Sequence, residues 1–187
     1  MRNTTICVAG LDLAALENRK TGIAIICDNK VEYINVLYRD EEIISKIVEY
    51  SVKVVAIDAP LSHAKGYRKV DLKMKKLGFK VLPPGWRSMK LLVDRAIKLK
   101  SLLEDRGIEV IETHPLSALR SSGYSDIEQL INELGIAINI ENKHLLKIKD
   151  VIDAIIAAIV AKLYLKSKTL KVSDVDGTIH LIPKIKN

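Results

Sequence analysis

The order of the apolar runs constrains this chain more than any other feature of its sequence. Residues 5–13 read as a buried strand ending near Asp12, residues 21–28 as a second, and residues 31–38 as a third, entered through the tight turn Asp28-Asn29-Lys30. Three strands joined by short turns predict an antiparallel meander. Asp40-Glu41-Glu42 then opens a helix, because acids in a first turn suit the positive helix N-terminus and Ile43, Ile44, Ile47 and Val48 recur at helical spacing. Residues 53–57 form a fourth strand, apolar enough to be buried on both faces, which stops at Asp58-Ala-Pro. A helix from about Ser88 to Asp105, a fifth strand over residues 108–112, a short helix over 125–134 and a long apolar helix over about 147–166 follow. The tail, residues 170–182, fits a small hairpin around Asp176-Gly177. The pattern is β-β-β-α-β-α-β-α: an α/β chain with a mixed sheet, parallel crossovers after the meander, and helices on both faces.

Length and patterning support one domain over residues 1–187, interrupted by a basic, Pro-rich insertion at about 61–88. The longest apolar run, Ala154 to Ala161, is about eight residues against the ~20 of a membrane span, so no membrane partner is expected. The chain opens without the apolar core of a secretory signal, and a cytoplasmic location is the expectation. Cys7 and Cys27 match no zinc spacing. They fall nearly opposite each other if the first two strands pair, which leaves both a disulfide and a pair of buried thiols open.

Four acids sit where such a sheet gathers chemistry. Asp12 closes the first strand and Asp58 the fourth, and ligand sites in open α/β sheets form outside strand carboxyl ends at a topological switch point. An unpaired carboxylate after an apolar strand is costly to bury, and a divalent cation is one way to offset that cost. Asp150 and Asp153 share one face of the long helix at i, i+3 spacing, so both can point at a common cation. Mg2+ or Mn2+ prefers such oxygen ligands. Glu112 ends the fifth strand, where it either assists catalysis or plays a structural part, and His114 either contacts phosphate, moves a proton or is structural. Lys65, Arg68, Lys69, Lys73 and Lys76 crowd a stretch whose single acid is Asp71. Together with 30 Lys and Arg against 23 Asp and Glu, a net charge of +7, they suggest contact with a nucleic-acid backbone.

The motifs in order are Gly10-Leu-Asp12-Leu with Thr21-Gly22, Ala56-Ile-Asp58-Ala-Pro60, Arg68-x-x-Asp71, Pro83-Pro84, Glu112-x-His114-Pro115 and Asp150-x-x-Asp153-Ala154. Over most of its length the chain resembles domain-of-unknown-function family 429, a group regarded as nucleases of ribonuclease H-like fold. The resemblance implies a five-stranded sheet of order 3-2-1-4-5 with strand 2 antiparallel. The two acids one turn apart on the last helix also resemble the Holliday-junction resolvase branch of that superfamily. Carried over by position, Asp12, Asp58, Asp150 and Asp153 would hold two Mg2+ or Mn2+ ions that hydrolyse phosphodiester bonds of DNA or RNA. Asp12 would bridge the ions, with Glu112 as an accessory catalytic group. The competing expectation is a non-catalytic nucleic-acid-binding or scaffold protein of the same fold, and a homodimer is left open for either. A sugar-kinase-like ATPase is disfavoured, because that fold duplicates the domain and this chain is too short for two.

Overall fold

Turn chemistry fixes the first three strands, β1 (Cys7–Asp12), β2 (Thr21–Cys27) and β3 (Lys30–Leu37). Asp28 takes the left-handed conformation, with φ 50°, that a two-residue hairpin turn requires, and its carboxylate accepts the Ile6 N–H. The structure, a computed structural model, describes residues 5–138 and 140–185. The chain continues through α1 (Asp40–Glu49), β4 (Val54–Asp58), α2 (Lys69–Lys76), α3 (Arg87–Glu104) and β5 (Glu109–Thr113). The second half comprises α4 (Pro115–Ser122), α5 (Ile127–Glu133), β6 (Ala137–Ile138), a 3-10 turn ahead of α6 (Lys149–Leu165), and the hairpin β7 (Leu170–Asp174) and β8 (Gly177–Leu181).

The protein is an α/β fold with one mixed sheet, ordered β6-β3-β2-β1-β4-β5-β8-β7. Strand β2 runs antiparallel to both β1 and β3, whereas β1–β4 and β4–β5 are parallel. The five strands expected from the sequence are therefore corrected to eight among the described residues, in a longer order. The run β3-β2-β1-β4-β5 lies in the middle, and β6 joins β3 at one edge while β8 joins β5 at the other, both in parallel. The tail hairpin docks because its buried Val172, Ile179 and Leu181 have no core of their own, and docking covers an open edge of β5.

Residues alternate across the sheet. Val8, Ala24 and Ala56 pack beneath α6 with side chains from α2, α4 and α5, whereas Ala9, Leu11, Ile23 and Ile57 meet α1 and α3 on the other face. Cys7 and Cys27 are direct partners across β1 and β2 and form a disulfide, which staples the end of β1 opposite Asp12. Residues 61–88 are a folded part of the domain. Val70 and Met74 of α2 are fully buried, the Asp176 carboxylate accepts from the Lys69 and Val70 N–H groups at the start of α2, and the Gly85 N–H donates to Gly66 at 3.2 Å.

Helix α6 lies backbone-close on the sheet. A Cβ on Gly10 would run into the Ala154 carbonyl and the Ala158 nitrogen, and one on Gly22 into the Asp150 carbonyl. The helix answers with Ala154, Ala157, Ala158 and Ala161, all fully buried. Gly10→Ala should consequently lower unfolding stability by about 3 kcal/mol in a denaturant titration, since backbone cannot yield as a flexible side chain does. Gly66→Ala, where a Cβ meets open space, should leave the midpoint unchanged.

Candidate active site

Leu11 of β1 and Ile57 of β4 are register partners, so the next residues, Asp12 and Asp58, emerge side by side at the carboxyl ends of parallel strands. This is also the place where the sheet changes from its antiparallel to its parallel half. The close seat of α6 over Gly10 and Gly22 brings the first turns of that helix to the same end of β1. Asp12 and Asp58 line a cleft of about 230 Å3, together with His114 and an apolar wall that includes Leu13, Val81, Leu82 and Met89.

The electrostatics tie three of the four expected acids together. Burial pushes Asp12 up to about 7, Asp153 and, more weakly, Asp150 push in the same direction, and Lys149 pulls back. Asp58 lies well above the usual carboxylate range, from burial first and then from the charges of Asp12 and Asp153. Asp153 is held by a hydrogen bond and ion pair from the Lys149 ammonium, whose own pKa is raised by that bond and by Asp12 and Asp58. The lysine side chain is 82% exposed and the Asp153 side chain 14%, so one cation reaches in from solvent to serve three carboxylates. Asp150 sits at the edge of this group: it acts on Asp12 but is not among the charges that shift Asp58. No three His, Cys, Asp or Glu side chains among the described residues are gathered as ligands of one ion.

Two expected site residues have different work. Arg68, expected on a phosphate backbone, is 2% exposed and cannot reach one. Its guanidinium donates to both oxygens of Glu112, to Asp71 through Nε at 3.1 Å and Nη2 at 2.7 Å, and to Ser62 Oγ at 3.2 Å. Glu112 also accepts the Leu61 N–H at 2.9 Å, so both its oxygens are engaged; burial raises its pKa and Arg68 only partly offsets this. A buried guanidinium needs every donor satisfied, and this network meets that need while fastening α2 to β5. The sequence carried part of the signal, because Arg68 and Asp71 stand at the i, i+3 spacing of a helical ion pair. Of the other basic residues, Lys73 is tied to Ser173 and Asp174, while Lys65, Lys69 and Lys76 are exposed.

His114 caps α4, accepting the Ser117 N–H at Nδ1, and burial lowers its pKa against the pull of Asp153. The sequence reading ended the strand here without seeing α4, although Pro115 in the first turn and the left-handed Gly123 after the last are helix boundary signals.

The raised pKa of Asp12 sets a pH signature. Its folded-state value exceeds its unfolded one, so its contribution to stability is fully present below about pH 4 and is lost as pH rises through about 7. The shift from 3.8 to about 7 corresponds to roughly 4 kcal/mol at full ionisation. In EDTA, Asp12→Asn should therefore melt higher than wild type at pH 8 and nearly level with it at pH 4; equal differences at both would contradict this assignment.

Among the described residues no helix is long and apolar enough to cross a membrane. No family model matches the chain, and neither does a curated protein or a solved structure.

Proposed function

We propose that this protein is a metal-dependent nuclease that hydrolyses phosphodiester bonds of DNA or RNA at Asp12, Asp58 and Asp153. The observation that carries the reading is the pairing of Asp12 and Asp58, two half-buried carboxylates that face mainly like charges at adjacent strand ends. Burying such groups without a counter-charge is costly, and a divalent cation supplies one. The donor chemistry fits Mg2+ or Mn2+: the groups are hard carboxylate oxygens, with no thiol among them. When bound, such ions activate water and stabilise a leaving alkoxide oxygen.

The chain's own residues have distinct tasks in this reading. Asp12 and Asp58 would hold the cation from the strand ends, Asp153 would join them in place of its bond to Lys149, and Asp150 would support from the edge of the group. Lys149 neutralises the cluster in the absence of metal. Lys65, Lys69 and Lys76 offer exposed charge to a phosphate backbone, a role that Arg68 gives up to the interior. The β3-β2-β1-β4-β5 core, with β2 antiparallel and α6 across β1, supports assignment to the ribonuclease H-like fold and to domain-of-unknown-function family 429. The Lys149–Asp153 bond favours one alternative, a protein that binds nucleic acid on the same surface without turnover.

End-labelled single-stranded, duplex and branched DNA, and RNA, incubated with Mg2+ or Mn2+ separate the two. The nuclease reading expects cleavage that EDTA stops. Asp12→Asn and Asp58→Asn should each reduce it by more than the roughly 100-fold that loss of a supporting group costs. Undiminished cleavage by Asp12→Asn would refute the site, and metal-independent binding without cleavage would establish the alternative.

A further inference from the structure

His114 stands at the cleft with its ring locked from one side. The Ser117 N–H donates to Nδ1 at 3.3 Å, and the Ser117 hydroxyl lies 2.7 Å from the same nitrogen. A nitrogen that accepts an N–H presents its lone pair there, so the proton of the neutral ring sits on Nε2. Nε2 has no hydrogen-bond partner among the described residues, yet it is not sealed from solvent. The ring lines the cleft that contains Asp12 and Asp58. With Nδ1 engaged by Ser117, the polar atom that His114 has left for that cleft is Nε2, a donor in this tautomer.

We propose that His114 binds a non-bridging phosphodiester oxygen through Nε2–H, as a neutral hydrogen-bond donor of fixed tautomer rather than as a proton carrier. This rests on reading the cleft as a phosphodiester site. Action as a base is excluded by the absence of a lone pair on Nε2 in this tautomer. Action as an acid would place a second proton on Nδ1, directly against the Ser117 N–H. Burial at the N-terminus of α4 also disfavours a positive ring, while the helix end favours an anion nearby. The arrangement follows the logic of an imidazole kept neutral by a helix N-terminus so that it polarises an oxygen.

Two substitutions divide the ring's tasks. His114→Asn keeps an acceptor near the position of Nδ1 and so keeps the cap, but its amide N–H groups fall short of the position of Nε2. His114→Gln extends an amide N–H toward the position of Nε2 but is a poor cap. Nitrogen NMR of metal-free protein labelled at histidine should show Nδ1 unprotonated and Nε2 protonated. Fluorescence anisotropy with a labelled oligonucleotide in Ca2+ should show His114→Gln binding like wild type and His114→Asn about tenfold more weakly. Melting temperatures should rank them in the opposite order. A purely structural His114 would make binding follow stability, which would overturn the proposal, as would a proton on Nδ1 or a wild type that binds no oligonucleotide. Wild-type binding without cleavage, with the same ranking of variants, would uphold His114 as the donor and remove only the nuclease reading.

Discussion

A helix lies on a sheet only as close as the side chains between them allow, and here almost none intervene. Gly10 and Gly22 on the sheet face the backbone of α6, Gly10 at Ala154, Ala157 and Ala158 and Gly22 at Asp150 and Val151. Exclusion of water from this contact holds the longest buried helix against the central strands. The same approach fixes where that helix begins. Its first turn overlies Gly22, the register partner of Asp12, and so Asp153 shares its surroundings with two strand-end carboxylates.

The charged groups in and around the core then divide into two kinds. Arg68, Asp71 and Glu112 pair with one another, with Ser62 and the Leu61 N–H completing the network, and Arg95 likewise engages Asp40, the Ala14 carbonyl and the Tyr38 carbonyl. These networks fasten helices to the sheet and leave nothing over for a ligand. Asp12 and Asp58 are the exception. Their neighbours are acids, and the nearest counter-charge is a lysine bonded to a third acid. Proteins tolerate such tension where the compensating group comes from outside. Carboxylates, an imidazole and an apolar wall therefore line one cleft, and in the proposed reading they serve a cation, an anionic oxygen and the remainder of a substrate.

Local patterns made β1 to β5, the long helix and the placement of Asp12, Asp58 and Asp153 legible in the sequence, because each depends on apolar spacing within a few residues. The rest depends on distant partners. Strand β6 is two residues long and has no periodicity to read, and the docking of β8 on β5 joins segments far apart in the chain. Arg68 read as a surface cation because its main partner, Glu112, lies 44 residues away. Asp150 and Asp153 share a helix face by spacing, and the seat of the helix couples Asp153 to both strand-end acids and Asp150, more weakly, to Asp12. Cys7 and Cys27 were undecided because their bond depends on strand register, which the β1–β2 pairing supplies.

The central claim is that Asp12, Asp58 and Asp153 are one cation site guarded by Lys149. Crystals soaked in Mn2+ and measured for anomalous scattering test it most directly. The account predicts a manganese peak bounded by those three carboxylates, with the Lys149 ammonium moved off Asp153. A peak elsewhere, or Lys149 still bonded to Asp153 at saturating Mn2+, would contradict it.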